Sequence, residues 1–208
     1  MARVSEAPPS DEGWASLPPP RRPLRRTTFF VMGASALVAI FLLLGLRGDA
    51  AYALSTGAPE DVGELRELVP ERVGANVWVR GSGTLSMSDA VRYRRPLDPN
   101  GYRLARVEGA RLWVELRVPS DADGDRFIPP ASFVGRLVPA ADAGLRYSAV
   151  SDAVEATGRS PLPPDAWLLI DGESPAGTRW VLGVVAVLTA FAVFNAFGLF
   201  RLAQRVRS

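Results

Sequence analysis

Residues Thr28–Leu46 read TFFVMGASALVAIFLLLGL, and residues Trp180–Phe200 read WVLGVVAVLTAFAVFNAFGLF. The two runs, 19 and 21 residues long, contain no Asp, Glu, Lys or Arg. As helices each reaches roughly 30 Å, the thickness of the hydrocarbon core of a bilayer. The reading is therefore two transmembrane helices, 28–46 and 180–200, and the rest of the 208-residue chain is placed relative to them. The flanks, residues 1–27 and 201–208, are too short to bury a core, so the stretch between the runs holds the one compact domain.

Charge sets the sidedness. All 24 basic residues are arginine; the N-terminal flank carries five against three acids, the C-terminal flank three against none, and the intervening stretch 16 against 19. Arg21, Arg22, Arg25 and Arg26 precede the first run and Arg201 follows the second, and such basic flanks stay on the cytoplasmic side. Both termini are expected in the cytoplasm and the domain outside it, in the periplasm or at the exterior of a bacterial inner (plasma) membrane. Arginine in place of every lysine fits a GC-rich bacterial genome, by codon usage. A competing reading makes the first run a cleaved signal: Ala51-Tyr52-Ala53 has the small-x-small pattern of a processing site, and Arg25-Arg26 resembles a twin-arginine signal. The apolar stretch exceeds a signal core in length, and Arg47, Gly48 and Asp49 read as an exit from a span, which favours a retained anchor.

Along the chain, residues 1–27 form a Pro-, Ser- and acid-rich tail expected to be disordered. Residues 47–72 read as a linker with a short amphipathic helix: Thr56 and Pro59-Glu60-Asp61 resemble a helix start, Val62, Leu65 and Leu68 share a face, and Pro70 ends the pattern. From residue 73 to 175 the apolar period changes to two. Val77 and Val79 alternate with Trp78 and Arg80, and the aliphatics of Arg111–Val118 alternate with Arg111, Trp113, Glu115 and Arg117. With Ala90–Arg95 and Tyr102–Val107 these form an expected four-strand antiparallel meander, to which Ser132–Val138 and Ala166–Asp171 add strands, and Tyr147–Thr157 a helix. The fold class expected is a membrane-anchored α+β protein, two transmembrane helices flanking a small antiparallel β-rich extracytoplasmic domain. Gly81 would suit the strand bend of an OB-like barrel.

The chain has no His, Cys or Lys. Ser-His-Asp and Cys-His catalysis, histidine or thiolate metal sites, Schiff-base lysines and phosphate-loop lysines are thereby excluded within this chain, as are disulfides. What remains is carboxylate chemistry. Asp121, Asp123 and Asp125 have the 1-3-5 spacing that opens a calcium loop, but Arg126 and Ser132 stand where such a loop needs Gly and Glu, so the cluster reads as a solvated turn and only a weak calcium candidate. A glycosidase-like envelope hydrolase needs two acids with separated pKa values; Glu108, Glu115, Asp171 and Glu173 lie on or near strands, and no pair is singled out. No catalytic residue, metal or cofactor is expected.

A surface is the better candidate. Trp78, Arg80, Arg111, Trp113 and Arg117 fall on the strand positions opposite the aliphatic set, and Arg92 and Arg94 extend them if the strands pair as a meander. Trp and Arg dominate binding hot spots. Such a face suits a membrane or periplasmic protein partner; the alternative is that the tryptophans form a second core layer. Nucleic acid is not an expected partner of a net-negative domain outside the cytoplasm. In the spans, Ser35 and Ala39, and Gly183, Ala186 and Ala190, form small-residue faces, with Asn195 able to bond across a helix contact. The plan of two spans flanking an extracytoplasmic domain resembles, in topology alone, that of surfeit-type cytochrome oxidase assembly factors, and the resemblance implies an assembly role. The reading is a non-enzymatic integral membrane protein presenting a binding, assembly or scaffold domain in the bacterial cell envelope.

Overall fold

The computed structural model describes residues 25–95, 98–119, 127–143, 154, 162–163 and 165–204. Two long helices stand below one mixed sheet. Helix α1 is Arg25–Ala53; strand β1, Glu60–Glu64; helix α2, Pro70–Val73; then come β2 Val77–Ser82, β3 Leu85–Arg94, β4 Gly101–Val107, β5 Leu112–Val118, β6 Ser132–Pro139, β7 Trp167–Asp171, the short helix α3 Pro175–Thr178 and the long helix α4 Trp180–Gln204. Two segments, 26–53 and 175–204, are long and apolar enough to cross a membrane, and most of their side chains are outside any protein core.

The seven strands lie in the order β1-β2-β6-β7-β5-β4-β3. β1 with β2, and β5 with β7, are parallel; the other neighbours are antiparallel. The sheet is open, with β1 and β3 at its edges, so it is not the closed OB-like barrel that Gly81 was expected to serve. At Gly81 a Cβ would come within 2.5 Å of the Leu65 side chain, and this close approach accounts for the residue. The meander is confined to β3, β4 and β5: β2 pairs across the sheet with β6, leaving β3 as an edge.

The residues expected to form a linker helix form β1 and a turn instead. Gly63 takes a left-handed φ of 66°, where the α pattern is broken, and a bulge separates Asp61 from Gly63 in the pairing with β2. Val62, Leu65 and Leu68 still pack on one core, with Val79, Val107, Val114, Leu137 and Leu169. The opposite face of the sheet carries a second core of Val91, Leu104, Val138, Leu168 and Ile170, covered by Ala143, Val154 and Leu162. Val154 is helical and buried; the rest of the helix expected over Tyr147–Thr157, the tail 1–24 and the cluster Asp121, Asp123 and Asp125 lie outside the described residues.

Helix α1 does not stop at Arg47-Gly48-Asp49. It continues to Ala53, so its last two turns rise out of the apolar stretch into the domain. The two long helices pack against each other: the Ser35 hydroxyl lies 3.3 Å from Asn195 Oδ1, Asn195 Nδ2 donates to the Phe191 carbonyl, and Ala39 is buried.

Candidate functional site at the helix-facing end of the sheet

β7 leads through α3 into α4, and the C-terminal ends of the parallel strands β5 and β7 therefore lie at the end of the sheet nearest the helices. There, Arg136 of β6 is fully buried. Its Nη1 donates to Asp49 Oδ1 of α1 at 2.6 Å, and its Nε and Nη2 donate to Asn76 Oδ1 at 2.8 and 2.6 Å. Its guanidinium stands 4.8 Å over the Tyr52 ring, and Glu173 Oε1 is 3.8 Å away. Tyr52 donates its hydroxyl proton to the Glu173 carbonyl at 2.8 Å. Asn76 can reach in because it adopts a left-handed φ of 64°, which asparagine tolerates. One arginine thus ties the upper end of α1, the entry to β2 and the exit of β7 together, its charge met by a carboxylate, an amide and an aromatic face.

Beside this junction a cleft of about 240 Å³ opens between the sheet end and the start of α4, lined by Arg95, Tyr102, Glu115, Arg117, Asp171, Glu173, Thr178 and Trp180 among others. Glu115 is buried and paired with Arg95, whose guanidinium also lies over the Tyr102 ring. Burial and the neighbouring Glu115 push the Tyr93 hydroxyl well above its ordinary pKa, so it stays protonated. Asp98 is held well below the usual carboxylate range by hydrogen bonds from the Tyr102 hydroxyl and from the backbone and side chain of Asn100. Arg117 is largely exposed and reaches Asp98 only at 3.6 Å. Asp171 accepts from the Val134 N–H at 3.0 Å, and burial raises its pKa.

The Trp and Arg candidates divide. Register puts Trp78 opposite Arg136, Arg80 opposite Val134, Trp113 opposite Arg106 and Arg117 opposite Tyr102, so Trp78, Arg80, Trp113 and Arg117 share a sheet face. They do not form one patch: between β2 and β5 lie the buried Arg136, Val138, Leu168 and Ile170. Trp113 is half-buried against the second core, while Trp78 is half-buried with its indole N–H enclosed. Arg111 pairs at the surface with Asp165 at 2.8 Å. Arg92 and Arg94 lie opposite Arg103 and Gly101, on the other face, because β3 carries an irregularity between Ser86 and Val91 that sets its register.

Of the helix-packing candidates, Ser35, Ala39 and Asn195 are in the contact between the long helices, whereas Gly183, Ala186 and Ala190 are exposed, and a Cβ on Gly183 would meet nothing within 4 Å. Glu115, Asp171 and Glu173 come together at the cleft, and Glu108 lies in the β4–β5 turn, away from it. Sequence reasoning passed over Arg136, Asp49 and Asn76. The available signal was a charge at the centre of an apolar strand, Phe133-Val134-Gly135-Arg136-Leu137-Val138; Asp49 gave none, because Arg47-Gly48-Asp49 has the composition of a helix exit. Among the described residues no group of His, Cys, Asp and Glu is arranged to hold a metal ion. Compared with known proteins, the chain matches no family model, no curated protein and no solved structure.

Proposed function

We propose that the chain is a non-enzymatic integral membrane protein of the bacterial cell envelope, anchored by two helices with both termini in the cytoplasm, which holds a β-rich domain on the outer side of the membrane as a binding or assembly scaffold. The observation that carries this reading is the union of α1 with the sheet through Asp49 and Arg136. An anchor tied to its domain by a buried ion pair, and not by a slack linker, presents that domain in a defined pose. Cleavage after Ala53 would remove Asp49, the closest carboxylate to Arg136, and Tyr52, the ring that covers it, which supports a retained anchor over a signal. The outward apolar side chains support the bilayer: Phe30 is 78% exposed, Leu37 68% and Phe194 69%, a surface too large and continuous for water.

The partner contacts in this reading are two separate places on the domain, the exposed arginines flanking the half-buried tryptophans, Arg80 beside Trp78 and Arg111 beside Trp113. The experiment combines topology with capture. Reporters fused after Ser208 and inserted after Gly109 should read out on opposite sides of the membrane, and the intact N-terminal segment should be present in the mature chain. Arg80→Glu with Arg111→Glu should abolish co-purification of an envelope protein from native membranes while the melting temperature changes little, since exposed charges contribute little to stability. Same-side reporters, or full retention of every partner by the double variant, would overturn the reading.

One observation favours a second reading, a carboxylate-dependent envelope hydrolase: Glu115, Asp171 and Glu173 line a single cleft. Each acid is engaged in holding structure, Glu115 with Arg95, Asp171 with the Val134 N–H and Glu173 beside Arg136. Turnover of a chromogenic glycoside by the purified chain, lost in Glu173→Gln, is the result that would favour the hydrolase.

A further inference from the structure

We infer that the cleft at the foot of β5 and β7 is a binding site for the headgroup of an amine-bearing zwitterionic phospholipid of the leaflet on which the domain stands. The inference rests on the membrane reading above and adds a ligand to it. Three features point there. The cleft holds both signs of charge: Arg95 and Arg117 line it together with Glu115, Asp171 and Glu173. Its volume of about 240 Å³ equals that of about eight water molecules, room for a phosphate and a short aminoalkyl arm. Its rim includes Trp180, 54% exposed and the first residue of α4, at the level where tryptophan marks the boundary between headgroups and chains.

The chemistry assigns each end of the headgroup. The Arg117 guanidinium has spare donors, because among the described residues its one carboxylate contact is the 3.6 Å approach to Asp98, whose oxygens already accept from Tyr102 and Asn100. A planar fork of donors suits a phosphate diester. Asp171, half-buried and with its ionised form disfavoured by that burial, gains from a cation placed beside it, and a primary ammonium also supplies donors for hydrogen bonds. A headgroup so held leaves its acyl chains to run down the exposed apolar side of α4, past Val184 and Val187. A purely anionic headgroup meets the carboxylates unfavourably, and a quaternary ammonium cannot donate to them.

The test uses the full chain, purified in detergent and titrated with phosphatidylethanolamine, phosphatidylcholine or phosphatidylglycerol, with bound lipid counted by native mass spectrometry. Phosphatidylethanolamine should be retained at least about tenfold more tightly than the other two, and Arg117→Gln, an exposed position, should remove about tenfold of that affinity while Arg94→Gln, on the other sheet face, leaves it unchanged. Equal retention of the three lipids, or unchanged affinity in Arg117→Gln, would overturn the site. Soluble phosphoethanolamine in excess should fail to displace the lipid; displacement would show that the cleft reads a soluble zwitterion and overturn the lipid assignment. Flotation of the chain with liposomes separates the two readings: failure to float removes the membrane reading, whereas flotation without headgroup preference removes this one alone.

Discussion

Arg136 is the residue on which the molecule turns. An arginine enclosed on all sides is tolerable only where its donors are met, and here Asp49, Asn76 and the Tyr52 ring meet them. Removing one partner leaves the other charge stranded. Asp49→Ala and Arg136→Ala should each lower the stability of the domain by about 3–5 kcal/mol, and the double variant should lose much less than the two added together, as read by denaturant unfolding in a double-mutant cycle. Breaking the exposed Arg111–Asp165 pair should cost about 0–1 kcal/mol on the same scale. The contrast also marks what was legible in the chain. Trp78, Arg80, Trp113 and Arg117 stand out by type and alternation, so their shared face was readable, whereas Arg92 and Arg94, expected with them, lie on the other face. The partnership of Asp49 and Arg136, 87 residues apart, was not, because alternation records which face a side chain takes and nothing about what covers it.

At the scale of elements, period and pairing behaved differently. The period of two identified β2 and β5, while β4, β6 and β7 were placed by the turn residues around them; β4 and β7 are buried on both faces and show no clean alternation. Neighbour choice was less visible: adjacent strands were expected to pair, yet β7 inserts between β6 and β5 and draws β2 to the far side of β6. Over residues 60–68 the spacing of Val62, Leu65 and Leu68 found the buried set correctly but the wrong backbone, because a three-residue spacing also fits a short strand followed by a turn. The helix pair offers a direct check in a chain that has no cysteine of its own. Ser35→Cys with Asn195→Cys should cross-link on oxidation, since the two side chains touch. Adding Ala39→Leu should slow that reaction, because Ala39 is buried in the helix contact, and overpacking of this kind costs about 1–3 kcal/mol. Gly183→Leu should leave it unchanged, as the space there is open.

Across the whole molecule, the first long helix and the domain share a buried ion pair, which sets this chain apart from a globular module on a flexible stalk. At the helical rise, the 28 residues of the first apolar segment give about 42 Å, more than the roughly 30 Å hydrocarbon layer, and the excess at the upper end is the part that docks on the sheet. The two apolar runs were plain in the sequence because length and apolar composition, the properties that would suit a helix to a bilayer, are local and can be read directly. Their integration with the domain was not, because Arg47, Gly48 and Asp49 have the composition of a boundary while the backbone passes through them as helix. The consequence is testable by excision. A soluble segment spanning residues 55–174 keeps all seven strands but lacks Asp49 and Tyr52, so Arg136 loses its hydrogen-bonded carboxylate and its aromatic cover together and keeps only the 3.8 Å approach of Glu173. That segment should melt well below the domain in the full chain. Arg136→Leu in the excised segment should recover much of the loss, because an apolar side chain at that position no longer needs the missing anion. In the full chain the same Arg136→Leu should instead be destabilising, since it strands Asp49. Opposite signs for one substitution in the two contexts would establish that the helix end is part of the domain's core; equal signs would show that the domain folds without regard to its anchor.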